Sequence, residues 1–137
     1  MGRDKRTKPL EALGRFVPVP HRVIHSRAYR RLTHVARSLL WDMASQFRGD
    51  DNGRLLAGIA HMRKLGWKSS ATLHRARKEL EKAGFIYMTV QGHRPNKASW
   101  YALTWFPLDK LIGYDPGTEQ GFRRWAFEVD CLNPPQG

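Results

Sequence analysis

A chain of 137 residues has the length of one domain and, at that size, buries about two thirds of the surface its unfolded form exposes. An apolar content of 41% with only 26% charged residues excludes a disordered chain, and no apolar run approaches the ~20 residues of a membrane span. Against 12 Asp and Glu stand 24 Lys and Arg, a net charge of +12 that calls for a polyanionic partner, nucleic acid ahead of a membrane surface.

The surplus is uneven. Up to Arg37 only Asp4 and Glu11 oppose the cations, whereas from Asp115 onward Asp115, Glu119, Glu128 and Asp130 outnumber Arg123 and Arg124. One end of the chain therefore favours phosphate and the other avoids it. Cys131 is the only cysteine, so no intramolecular disulfide forms and a reducing, cytoplasmic setting is expected. The charged N-terminus has no apolar stretch behind it and does not read as a signal peptide.

Residues 1–15 read as a basic flexible arm with little apolar patterning. Phe16-Val17-Pro18-Val19-Pro20 is extended, because each proline pushes its predecessor into the β region. Ser26 is the expected N-cap of the longest helix, residues 27–47, whose apolar positions Leu32, Val35, Ala36, Leu39, Leu40, Met43 and Phe47 repeat with helical spacing. Gly49-Asp50-Asp51-Asn52-Gly53 is a turn by composition, and residues 54–56 are expected as a short strand.

A second helix over 58–65 buries Ile59, Met62 and Leu65 and stops at Gly66. Trp67 fills the turn, and Ser69 or Ser70 caps a third helix with Leu73, Ala76, Leu80 and Ala83 inward, ended by Gly84. Residues 85–90 and 99–105 are paired strands rich in β formers, joined by the basic turn Gly92-His93-Arg94-Pro95-Asn96-Lys97. Residues 108–114 are expected as a short helix. Beyond them Phe122, Trp125 and Phe127 form an aromatic cluster in a tail that either packs back, pairs with a second chain or stays loose.

This order of elements is the plan of an α+β winged helix-turn-helix: a three-helix core with a small antiparallel wing over 16–108, the arm 1–15 before it and the tail 109–137 after it. The third helix then enters the major groove of double-stranded DNA. Ser69, Ser70 and Thr72 are short donors suited to phosphate at a helix N-terminus. His74, Arg75 and Lys78 point away from the apolar face and are the candidates for base edges. Arginine leads among them, since its fork matches guanine bidentately. Arg77 lies nearer the core boundary and is expected to bridge to Glu81, four residues on. His93, Arg94 and Lys97 on the wing straddle backbone or minor groove, and Arg3, Lys5 and Arg6 of the arm reach along phosphates or into a minor groove.

The stretch from Leu56 to Ile86 resembles the winged helix-turn-helix regulators and replication-type proteins of bacterial phages, plasmids and integrative elements. The resemblance rests on the apolar helix ending Leu65-Gly66, on Ser70 and Thr72, and on Leu80-Glu81-Lys82-Ala83-Gly84-Phe85-Ile86. Ser26-Arg27-Ala28-Tyr29, Asp51-Asn52-Gly53-Arg54 and Tyr101-Ala102-Leu103-Thr104-Trp105 extend it over 17–108. Trp67 departs from the smaller aliphatic residue usual there. The resemblance implies sequence-specific DNA binding as a transcriptional regulator or replication accessory of a mobile element. The same fold serves as a protein-interaction module, for which a host nucleic-acid-binding complex is the partner and the aromatic tail the fitting feature. A homodimer is compatible with either.

Catalysis has little support. His21 and His25 have metal-ligand spacing, but Pro18 and Pro20 argue against a helix there and no carboxylate or Cys lies nearby. Asp50 and Asp51 are turn residues, and no glycine-rich phosphate loop is present. The expectation is a binding protein with no catalytic residue, metal or cofactor.

Overall fold

The computed structural model describes residues 12–128. Within them lie six α-helices and one two-stranded sheet, a small α+β architecture. In chain order these are α1 (His21–Ile24), α2 (Arg27–Arg31), α3 (His34–Ala44), α4 (Ile59–Met62) continuing into a 3-10 turn over Arg63–Leu65, α5 (Ser70–Ala83), β1 (Ile86–Val90), β2 (Trp100–Leu103) and α6 (Thr118–Gly121), with a last 3-10 turn over Ala126–Glu128.

The single helix expected over 27–47 is two helices. Leu32 is extended (φ −66°, ψ 142°), and Thr33 starts again by accepting the Ala36 N–H on its hydroxyl at 3.1 Å. The apolar stripe hides this break because Leu32 is buried on either reading. Three polar side chains hold it. Glu79 on α5 accepts both the Thr33 N–H (2.7 Å) and hydroxyl (2.8 Å), and Arg37 donates to the carbonyls of Tyr29, which also accepts the Leu32 N–H, and Arg30 in the last turn of α2.

A second difference lies just upstream. The prolines do not prevent a helix at His21, because a proline restricts the residue before it and suits the start of a helix. Pro20 is the extended cap of α1, and the rings of His21 and His25 stack at 5.3 Å.

The strand expected over 54–56 shrinks to one bridge, Leu55 with Tyr101, closed by hydrogen bonds of 3.0 and 2.8 Å. Leu56 turns its N–H and carbonyl away from β2, to the Gln46 side-chain amide, and Ala57, the next residue whose polar groups face that strand, gives its carbonyl to Arg77. Asn52, fully buried, does for β2 what Gln46 does for Leu56: its amide accepts from Leu103 N–H and donates to the carbonyls of Leu103 and Pro107. In α4 and its 3-10 extension Met62 is buried as expected, but Leu65 is 45% exposed.

No helix forms over 108–114. Asp109 is drawn instead to Asn52, exchanging backbone and carboxylate bonds with it, and Tyr114 donates to the Asp109 carbonyl at 2.6 Å. From Tyr114 the chain turns back onto the sheet through Thr118, whose hydroxyl bonds the Thr89 carbonyl, and through Trp125, whose N–H reaches the Thr104 carbonyl at 2.7 Å. Phe127 ends this return inside the core, stacked on Phe85 with ring centroids 4.7 Å apart. Gly84 lets the return come so close: a Cβ there would lie 2.7 Å from the Ala126 backbone. The described tail is thus a packed segment whose aromatics face inward.

One hydrophobic cluster joins these pieces, with Leu39, Leu40 and Met43 of α3, Leu73 and Leu80 of α5, and Phe85, Tyr101, Leu103, Trp105 and Phe127. Burying side chains of this size contributes about 1.5–3 kcal/mol each. Trp105 also fixes the extended N-terminal segment, donating its indole N–H to the Pro18 carbonyl.

Candidate nucleic-acid interface

The presentation of α5 begins in the turn before it. Gly66 takes a left-handed φ of 101°, and the Trp67 N–H returns to the Met62 carbonyl. The bulk of Trp67 is accommodated sideways: its indole donates to Asp42 on α3 at 2.7 Å, tying the turn to the scaffold. Ser69 is the N-cap, accepting the Thr72 N–H at 3.1 Å, and Ser70 is the first helical residue.

Helical spacing then sorts α5 into four aspects. Leu73, Ala76 and Leu80 are buried. Thr72 and Glu79 face α3, where Glu79 is already bonded to Thr33. Ala71, Arg75, Lys78 and Lys82 form the outer aspect, all exposed. Ser70, His74, Arg77 and Glu81 make the remaining flank, which looks toward the turn between β1 and β2.

That turn is closed by reciprocal backbone bonds between His93 and Lys97 (2.8 and 3.0 Å) and by the Ser99 hydroxyl accepting the Gly92 N–H. Only glycine fits at 92, since a Cβ there would lie 2.3 Å from the Lys97 carbonyl oxygen. Between turn and helix runs an open cleft of about 560 Å³, with Ser70, His74 and Arg77 on one wall, His93, Arg94 and Lys97 on the other, and Ser99 and Tyr101 at its base.

The sequence-expected residues divide accordingly. Ser70, His74, His93, Arg94 and Lys97 share the cleft. Ser69 and Thr72 line a separate hollow beside Val35, Asp42 and Trp67. Arg75 and Lys78 stand on the outer aspect of α5, exposed and without a side-chain partner among the described residues. Arg3, Lys5 and Arg6 lie outside the described residues.

Two residues take a different place from the one expected. Arg77 does not bridge to Glu81; its guanidinium donates to the Ala57 carbonyl (3.1 Å) and to His74 Nδ1 (3.0 Å). One Glu81 carboxylate oxygen is instead buried without a hydrogen-bond partner. The Tyr101 hydroxyl is pushed up to about 12, first by burial and then by Glu81, with Arg77 opposing. Lys68, exposed in the turn before α5, adds a cation to the hollow that holds Ser69. The turn composition hid it, since a lysine there reads as an ordinary solvated residue.

The two acids of α5 are thus turned away from its outer aspect, which leaves that aspect and the facing turn positive. Other cations serve the fold. Arg37 caps α2 and lies over the Tyr29 ring, Arg54 covers Trp100, and Arg22 pairs with Glu128 while lying 3.9 Å over Trp125. The hydrogen bonds that Arg22 donates to the Glu128 carboxylate raise the pKa of Arg22 above its usual value. Tyr101 is buried and Trp100 covered, so these strand aromatics are not a free stacking platform.

Among the described residues no group of three or more His, Cys, Asp or Glu could hold a metal ion, and no helix is long and apolar enough to cross a membrane. No protein-family model, curated protein or solved structure matches the chain.

Proposed function

We propose that the chain is a winged helix-turn-helix protein that binds double-stranded DNA sequence-specifically, with α5 in the major groove and the β1–β2 turn as its wing. It acts as a transcriptional regulator or replication accessory of a phage, plasmid or integrative element, by binding alone. The observation that carries this reading is the cleft: a helix flank and a hydrogen-bonded basic turn face each other, and the outer aspect of α5 beside them is cationic with both acids turned away.

The roles follow from chemistry. Arg75 and Lys78 on the outer aspect meet base edges, the arginine bidentate to guanine. Ser69, Ser70 and Thr72 at the start of a 14-residue helix meet phosphate, which the unpaired N–H groups there favour. Arg94 and Lys97, with His93, meet the backbone or minor groove beside the wing. The aromatic residues that suited a protein-docking role, Phe122, Trp125 and Phe127, are engaged in packing against Tyr87, Phe85 and one another.

The test is a mobility-shift titration of a random-sequence duplex pool over a range of salt. Six exposed cations (Lys68, Arg75, Lys78, Lys82, Arg94 and Lys97) give a log–log slope of roughly −5 if all meet phosphate or its field. Affinity that is flat in salt, or absent for every duplex, defeats the reading.

A further inference from the structure

We propose that Arg77 is a positioning residue that fixes His74 as a one-way hydrogen-bond donor, so that His74 reads an acceptor on a base edge and rejects cytosine. This rests on the DNA-binding reading above and adds to it the chemical class of one recognised base.

A guanidinium has N–H donors and no acceptor. The 3.0 Å contact between Arg77 Nη2 and His74 Nδ1 therefore requires Nδ1 to be the acceptor. A neutral imidazole whose Nδ1 accepts carries its proton on Nε2. Nε2 is then a donor, and no described residue receives it. His74 is exposed and lines the cleft, so this donor is available to a ligand in it.

Arg77 is not itself free to read bases. Its other terminal nitrogen is held by the carbonyl of Ala57, a fully buried residue of the segment leading into α4. The two residues are three apart on one flank of α5, the spacing at which side chains meet. The guanidinium thus serves as a bracket between a fixed carbonyl and an exposed ring. Lysine has the same charge but not the planar fork needed to hold both at once.

In the major groove guanine offers N7 and O6, adenine N7 and thymine O4 as acceptors, while cytosine presents its N4 amino group. A donor locked on Nε2 therefore accepts the first three and meets cytosine donor to donor. A phosphate oxygen would also accept this N–H. Only the base contact leaves a mark on sequence preference.

The experiment selects bound duplexes from a random pool for the wild type, for His74→Ala, for Arg77→Lys and for the double variant, with thermal melting of each protein alongside. The wild type should deplete cytosine at one position by at least about fivefold. His74→Ala should abolish that depletion and leave preferences elsewhere intact. Arg77→Lys should relax the same position, and the double variant should go no further than His74→Ala, since both act through one contact. A uniform loss of affinity in His74→Ala with no position changed means a phosphate contact and overturns the inference while DNA binding stands. A change with His74→Ala but none with Arg77→Lys overturns the positioning role. If the wild type binds no duplex, the DNA reading itself falls and the inference with it.

Discussion

The C-terminal return and the α5–turn region are both rich in arginine, yet they use it in unlike ways. Around the return, Arg22 pairs with Glu128 and lies over Trp125, and Arg124 donates twice to the Trp105 carbonyl at 3.2 Å. These guanidinium groups find a carboxylate, a carbonyl or a ring within the same chain. Along the outer aspect of α5 and on the turn, Arg75, Lys78, Arg94 and Lys97 have no such partner among the described residues, and the nearby acids face elsewhere. A net charge of +12 therefore does not say which cationic side chains are free to contact a partner. What distinguishes the two regions is whether acceptors and aromatic faces of the same chain lie within a guanidinium's reach.

That contrast can be broken in either region. The largest effect is expected from Phe127→Ala, which empties a buried site stacked on Phe85 and should lower stability by about 3–5 kcal/mol in denaturant unfolding. DNA affinity measured where the variant is still folded should hardly change. A loss of binding larger than the loss from removing Arg75 would mean that the return belongs to the interface. Alkaline titration gives the next effect. Tyr101, 2% exposed, is raised from 10 in the unfolded chain to about 12 in the fold. A raised pKa favours the neutral phenol in the folded state, so its stabilisation is complete below about pH 10 and lost as pH climbs toward 12. The loss is on the order of 2 kcal/mol. Tyr101→Phe should flatten the fall of melting temperature over that window, leaving the smaller part due to the more exposed Tyr114.

Much of this was legible in the residues, for physical reasons that differ by element. The α5 stripe and its stops at Ser69 and Gly84 are local signals, and local signals survive folding. The break at Leu32–Thr33 was not legible. It depends on Glu79, 46 residues away, and the hydrophobic period runs on through it. The short strand stopped at one bridge for a similar reason, because the Ala57 carbonyl, next in line to pair, goes to the Arg77 side chain 20 residues away. The helix expected over 108–114 lost to Asn52, whose buried amide and backbone draw the segment into another path. At the candidate site, residue types were readable but partnerships were not. A sequence shows that Arg77 could reach Glu81; it does not show that the Ala57 carbonyl and His74 lie nearer.

Two smaller effects separate the kinds of contact within the basic region. Arg75→Ala should leave stability unchanged, since the side chain is exposed, and should cost about 1–3 kcal/mol in binding a selected duplex but much less on random DNA. Equal losses on both would demote Arg75 to a phosphate contact. Lys97→Ala should have the smallest effect, for a reason the turn supplies. Its backbone, not its ammonium group, closes the turn with His93, so truncation leaves the turn standing and removes only a charge. Affinity for selected and random duplexes should then fall together, and the salt slope should flatten by about one. If Lys97→Ala changes which duplexes are selected, the turn reads sequence as well as charge, and the division of labour between α5 and the turn has to be redrawn.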